Sequence, residues 1–463
     1  MDQNTNIVII GCGAGGGTAA QFARKTDRKA HITVIEQGAY PQYSKCGLPY
    51  VISGEIPSFN HLIEFSEEWF QKERIELLLK TQVQKIDVHT RTVETKNCGK
   101  KNNIYYDKLI IATGAQPTIP PIQGIYRDNR LVKNVFVLRT IDHGKQILQA
   151  LYNARKAIIV GAGLIGLELA DTLVKKGLQV TVVEALPTIL ATNLDEDLSN
   201  LVLQHITQKI TVYTNHMVTT VKQENDVSIE VVLKNRITNE EQKLNTDILI
   251  IATGCRPETS LAQQIGCKIG KTGGIIVNER SETNVSDVYA VGDCTEYRDF
   301  VTREPICIGL GSIVVRQAIA AGINAAGGTY QLPKGVLLTR TSTFFDIEIA
   351  GVGPIHDALK NKTVISGKFT GSSRPEYFPG GKPITLKILV DDRTGVIVSS
   401  QAVGENAAQR INVFASAILR ETTVEEFRKL ETAYAPPIAP TLDVITLVCD
   451  VVSLKRNRKK LTA

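Results

Sequence analysis

The sequence predicts an α/β chain: two parallel-sheet units of the same βαβ plan and an α+β domain at the C-terminal end. Three observations predict it. Residues 6–16 read NIVIIGCGAGG and residues 156–166 read KAIIVGAGLIG, two β-branched apolar runs that each break into glycines. Each is followed by a helical pattern and a second apolar run closed by an acid, HITVIE ending at Glu36 and QVTVVE ending at Glu184. Strand, glycine turn, helix, strand, acid is the order of a dinucleotide-binding unit. A second repeat, DKLIIATGAQP (107–117) and TDILIIATGCRP (246–257), ends a buried strand in Ala-Thr-Gly both times. From about Gly335, alternating apolar runs take over and lead into helices from Ala407 onward. One bare GxGxxG carries little weight in a chain of 463 residues with 36 glycines. Two of them, each set between a strand and a helix, carry much more.

The other elements follow in chain order. The stretches 77–95 and 211–233 alternate in character and read as small antiparallel sheets. DVYAVGDC (287–294) is a strand that delivers Asp293, and residues 308–328 form a small-residue helix able to approach a ligand closely. The expected division is a discontinuous first domain (1–116 and 257–332), an inserted second domain (117–256) and a third domain (333–463). At roughly 150 residues per domain the length suits three.

Hydrophobic residues at 43% and charged residues at 22% exclude a disordered or collagen-like chain. Bases number 53 and acids 47, a net charge of +6. Five bases crowd the C-terminal end (Lys455, Arg456, Arg458, Lys459, Lys460) and read as a frayed, solvated tail rather than a nucleic-acid or membrane patch. The eight cysteines form no CxxC and none lies near a His at metal spacing. No disulfide framework and no metal are expected, and scattered thiols fit a reducing, cytoplasmic setting. The first strand begins at Asn6, leaving no room for a signal peptide, and no uncharged apolar run reaches the length of a membrane span.

The chemistry starts at the glycines. Gly11 and Gly161 allow tight turns, Gly13 and Gly163 let backbone N–H groups approach a pyrophosphate, and Gly16 and Gly166 permit close helix–strand packing. Glu36 and Glu184 accept hydrogen bonds from ribose hydroxyls. A 2′-phosphate would be repelled by Glu184, and no Arg or Lys follows in ALPTILATNLDED, so NADH is expected over NADPH. A flavin in the first unit and a nicotinamide in the second is the economical assignment, with Asp293 a flavin ligand. Cys46, in PQYSKCGLPYVISGEI, lies ten residues beyond Glu36, near where the flavin ring is expected. A helix starting near Cys46, with Pro49 in its first turn and Lys45 alongside, predicts a lowered thiol pKa. The residue five beyond is Val51, so no CxxxxC pair is present. A lone thiol can form a mixed disulfide, carry a persulfide sulfur or cycle through sulfenic acid.

These residues resemble the single-cysteine branch of the FAD- and NAD(P)-dependent pyridine nucleotide-disulfide oxidoreductases: coenzyme A-disulfide reductases, persulfide reductases, NADH oxidases and NADH peroxidases. The similarity rests on GCGAGG, CGLPYVISGEI, ATGAQP, GAGLIGLELA, ATGCRP, YAVGDC, RQAIAAGINAAGG and the C-terminal domain. It implies two Rossmann-like dinucleotide-binding domains of the three-layer FAD/NAD(P)-binding type plus a dimerisation domain. It implies further cofactor contacts from Ala14, Gly15, Val83, Thr113, Gly114 and Gly311 on the FAD side, and from Leu164, Ile165 and Gly254 on the NAD side. It also implies a homodimer in which Tyr377 (EYFPGG) and Tyr434 (AYAPPIAP) reach Cys46 of the partner subunit. Three departures stand out. Ala14 takes the place of the His that peroxidases carry. Gln42 and Lys45 replace residues near the usual coenzyme A contacts. Arg24 and Lys25 remain where those enzymes hold the coenzyme's phosphates, and a surface ion pair is the expected role for them here. The expected activity is NAD(P)H-dependent reduction of a small disulfide or persulfide through Cys46. The alternatives are an NADH oxidase acting on oxygen, a reductase of a protein electron carrier and a non-enzymatic signalling flavoprotein.

Overall fold

The computed structural model describes residues 4–223, 228–307 and 309–462. Residues 224–227 of the second alternating stretch and Ile308 of the small-residue helix lie outside them. Strand Asn6–Ile10 sits at the centre of a five-stranded parallel sheet ordered Val288–Ala290, Lys108–Ile111, Asn6–Ile10, His31–Ile35, Ile75–Leu78. Its side chains divide by parity. Ile7 and Ile9 pack with Ala19, Ala20, Ala23, Ala318 and Ala321 of the helices Ala14–Thr26 and Gly311–Ala325. Val8 and Ile10 pack with Ile86 and Val93 of the antiparallel sheet Gln82–Asp87, Thr92–Asn97, Lys100–Tyr105. Burial on both faces explains why the strand is continuously apolar. The start of the 77–95 stretch belongs to the edge strand Ile75–Leu78, and only the rest enters the antiparallel sheet.

The second unit repeats this order: Val135–Val137, Ile248–Ile251, Lys156–Val160, Gln179–Val183, Thr211–Tyr213, all parallel. Ala157 and Ile159 meet the helix Leu164–Lys175, while Ile158 and Val160 meet the antiparallel sheet His216–Gln223, Ile229–Asn235, Glu241–Thr246. In both units the strand order reverses at the central strand, and the glycine turns lie at the carboxyl ends of the strands, where open α/β sheets bind ligands. Between the units the chain runs twice through one ribbon, Ala115–Pro117 antiparallel to Cys255–Pro257.

The last domain is a five-stranded antiparallel sheet ordered Arg340–Phe344, Ile347–Val352, Ile397–Gly404, Pro383–Asp391, Val364–Ser372, covered by Ala407–Leu419 and Val444–Thr462. The basic C-terminal run is not a frayed tail. Val448, Cys449 and Val452 bury one face of the last helix and carry it onward, so that Arg456 is 4% exposed and bonds Asp392 O, while Lys455 bonds Ser366 O. No described helix is long and apolar enough to cross a membrane.

Arg24 also departs from expectation. It is 5% exposed and donates to the carbonyls of Glu73, Asp27, Arg28, Ala30 and Arg74, clamping the end of the first helix to the edge of its sheet. Lys25 lies over the Phe22 ring at 4.7 Å. Among the described residues neither forms the expected ion pair. Arg24→Leu would leave five carbonyls short of a partner, and a stability loss of about 3 kcal/mol is expected in urea unfolding.

Candidate active site

Both glycine turns open into one cleft of about 2970 Å³. Sites for drug-sized ligands run to about 300–1,000 Å³, so this one has room for more than one dinucleotide. Gly11 has φ +102°, and a Cβ on it would lie 2.3 Å from Ala112 O. Gly161 has φ +105°, with its Cβ 2.5 Å from Ala252 O. Gly16 and Gly166 do not line the cleft. Their Cβ positions fall 1.8 and 2.0 Å from the carbonyls of Gly11 and Gly161, so they seat the helices against the turns. Gly13 and Gly163 sit at the helix N-caps, and a Cβ on either meets nothing within 4 Å. That is an open cradle bounded by helix-start amides, the arrangement that takes a pyrophosphate.

The two acids are held alike. Glu36 accepts from Cys12 N (2.8 Å) and Gly38 N (2.7 Å), and Glu184 from Ala162 N (2.7 Å) and Leu186 N (2.8 Å). Each is thereby tied to its own glycine turn. Ala14, Gly15, Val83, Thr113, Gly114, Asp293 and Gly311 line the first part of the cleft, and Leu164, Ile165 and Gly254 the second. Thr113 donates to Glu258 O at 2.6 Å. The donor sets and open cradles fit FAD in one unit and a nicotinamide dinucleotide in the other.

Cys46 lies on the cleft wall in the 3₁₀ turn Lys45–Gly47, just before helix Leu48–Ser53. That helix packs on the second unit, where Lys175 pairs with Glu55 at 2.9 Å. The expected lowering of the thiol pKa is not found. Burial raises it, and Glu168 and Asp293 raise it further, while Arg139 pulls the other way. A six-residue helix has a weak dipole, and the Lys45 ammonium is itself disfavoured by burial and by Arg139. Lys45 and Cys46 both line the cleft and are exposed to it.

Two neighbours of Cys46, Arg139 and Glu168, escape the sequence reading. Arg139 pairs with Asp293 at 2.6 Å, both side chains about one-fifth exposed. Glu168 accepts from Ser342 at 2.5 Å, and burial holds its carboxyl above the usual range. Glu168 follows Leu164 by one helical turn, so asking which helix face meets the cleft would have found it. Tyr377 and Tyr434 lie away from the cleft, on the C-terminal domain. Their hydroxyls are 2.5 Å apart, and both rings are exposed. Among the described residues no cluster suited to a metal ion occurs.

Residues 5–321 match the pyridine nucleotide-disulphide oxidoreductase family and residues 339–444 its dimerisation domain, which supports a homodimer. An NADH oxidase of Methanocaldococcus jannaschii is 36% identical over 98% of this chain and 99% of its own. A CoA-dependent NAD(P)H sulfur oxidoreductase of Pyrococcus abyssi is 32% identical over 96% of this chain and 98% of its own. The solved NAD-dependent persulfide reductase from A. fulgidus superposes with a TM-score of 0.92 at 32% identity, covering 98% of this chain and 84% of its own. Similarity along the whole length, joined to paired glycine cradles on one cleft, makes this chain an FAD- and NAD(P)H-dependent oxidoreductase of the pyridine nucleotide-disulphide oxidoreductase family.

Proposed function

We propose that the chain uses NAD(P)H to reduce a small-molecule disulfide or persulfide, with Cys46 as the working thiol. The observation that carries this is the position of Cys46 on the shared cleft wall, on an element braced against the second unit. The first unit takes FAD through Gly11, Gly13, Ala14, Gly15, Glu36, Val83, Thr113, Gly114, Asp293 and Gly311. The second takes NAD(P)H through Gly161, Gly163, Leu164, Ile165, Glu184 and Gly254. Gly16 and Gly166 hold the two turns in shape. Bound FAD supplies the two-electron relay between the nicotinamide and sulfur.

The Cys46 thiolate attacks one sulfur of the substrate disulfide. The S–S bond breaks, one thiol leaves with a proton, and the other half stays on Cys46 as a mixed disulfide. Two electrons from NAD(P)H and a proton then release the second thiol and restore Cys46. In a persulfide the leaving group is hydrosulfide. Tyr377 and Tyr434 supply the proton in the homodimer, reaching Cys46 of the partner subunit. The bond to Tyr434 holds the Tyr377 hydroxyl above the ordinary tyrosine range, so it keeps its proton at neutral pH. Tyr434→Phe is expected to lower kcat about tenfold or more and leave the rate of bound-flavin reduction by NADH unchanged.

Mixing the reduced protein with a small disulfide tests the reading. One thiol should appear per subunit, with the matching mass on the Cys46 peptide; oxidation without an adduct contradicts it. The name of the M. jannaschii relative favours a second reading, an NADH oxidase with oxygen as acceptor. Ala14 offers no imidazole to a peroxide in the cleft. Oxygen uptake that accounts for all NADH lost, with no thiol formed, would select that reading.

The raised Cys46 pKa has a measurable consequence. Only the thiolate alkylates, so the midpoint of the iodoacetamide rate profile at Cys46 should lie above the thiol's ordinary pKa of 9.0. Glu168→Gln removes a negative charge and should move that profile to lower pH. Arg139→Gln should move it higher.

A further inference from the structure

The loop after Glu184 carries no base, yet the folded chain brings one to it. Arg236 lies 52 positions further along, just past strand Ile229–Asn235 of the antiparallel sheet. Its backbone N–H bonds Asn215 O at 2.7 Å, and its Nη1 donates to Ala185 O at 2.6 Å. Ala185 is the residue directly after the ribose acid. The same corner is stitched from the other side by His216 N to Glu184 O (2.9 Å) and Asn215 N to Leu186 O (3.0 Å). The guanidinium is therefore held against the backbone of the residue that follows the acid. One of its five donors is spent on Ala185, it is exposed, and among the described residues no other partner takes it. Leu186 and Met217, each 42% exposed, line the adjoining cleft wall and offer apolar surface to an adenine ring.

We infer that Arg236 is a specificity-determining residue that reads the 2′-phosphate of NADPH, so that this chain takes NADPH as well as NADH. An acid at the end of the second strand suits ribose hydroxyls, and an Arg nearby accommodates a 2′-phosphate. Glu184 has one bond from a backbone amide on each carboxylate oxygen, and Arg236 adds a positive charge against the residue that follows it. The repulsion expected from the sequence is thereby offset, and the guanidinium fork matches phosphate oxygens. The inference rests on the second unit being the NAD(P)H site.

Binding of 2′,5′-ADP and of 5′-AMP to the FAD-loaded protein tests it without turnover. The wild type should bind 2′,5′-ADP about tenfold or more tightly than 5′-AMP. Arg236→Gln keeps a donor for Ala185 O and should erase that preference, with 5′-AMP affinity unchanged. Arg236→Lys should keep part of it. In turnover, Arg236→Gln should lower kcat/KM for NADPH about tenfold or more and leave NADH alone. A wild type with no preference for 2′,5′-ADP, or an Arg236→Gln protein that retains it, overturns the inference. A protein that binds neither nucleotide overturns the assignment of the second unit along with it.

Discussion

Cys46→Ser is expected to lower NAD(P)H-dependent reduction of a small disulfide about a thousandfold or more, while NADH still bleaches the bound flavin. The hydroxyl is a far weaker nucleophile than the thiol and cannot carry a mixed disulfide, so removal of the thiol removes the step. Three other cysteines line the same cleft, of which Cys12 is buried within the first glycine turn. Cys255 lies in the ribbon between the units, and Cys307 bonds Thr272 through its sulfur. Neither stands on the braced turn, so Cys255→Ser and Cys307→Ser should retain turnover. Loss of activity in either, or its survival in Cys46→Ser, would move the chemistry to another sulfur.

Gly13→Ala and Gly163→Ala are expected to separate the two nucleotide sites without unfolding the chain. A Cβ at either position meets no protein atom within 4 Å, and the backbone there is extended, which any residue adopts. The methyl group intrudes only on whatever lies in the cradle. Gly13→Ala should be purified with little or no FAD. Gly163→Ala should retain FAD and show a KM for NADH raised by about tenfold to a hundredfold. The same change at Gly11 or Gly161 is a different experiment. There the methyl strikes a backbone carbonyl and forces a left-handed φ, so folding itself is damaged. Flavin lost from Gly163→Ala and retained by Gly13→Ala would reverse the assignment of the two units.

The two glycine turns, their acids and the lone thiol were legible because each is a local pattern. A turn that only glycine can make, beside an apolar strand, leaves its mark within about ten residues. The repeated βαβ plan is legible for the same reason, since it recurs in both units. What could not be read is what reaches the cleft from elsewhere. Arg139 meets Asp293 across 154 positions, and Ser342 meets Glu168 across 174. No local pattern records such pairs. The raised pKa of Cys46 is not legible because the sequence shows the helix start and Lys45 but neither the burial of the thiol nor the carboxylate of Glu168. Arg24 and Arg456 look like surface charges in the sequence because a helix pattern does not say which basic side chain is swallowed by carbonyls. Arg236 is the sharpest case, a base absent from the loop that follows Glu184 and supplied by a strand end folded back onto it.

The central claim is that electrons from NAD(P)H reach substrate through sulfur on Cys46. It is tested most directly by anaerobic titration with NADH after the protein has been treated with excess small disulfide and freed of it. The wild type should consume one NADH per subunit more than Cys46→Ser and release one thiol as it does so. Equal titres, with no thiol released, would contradict the account.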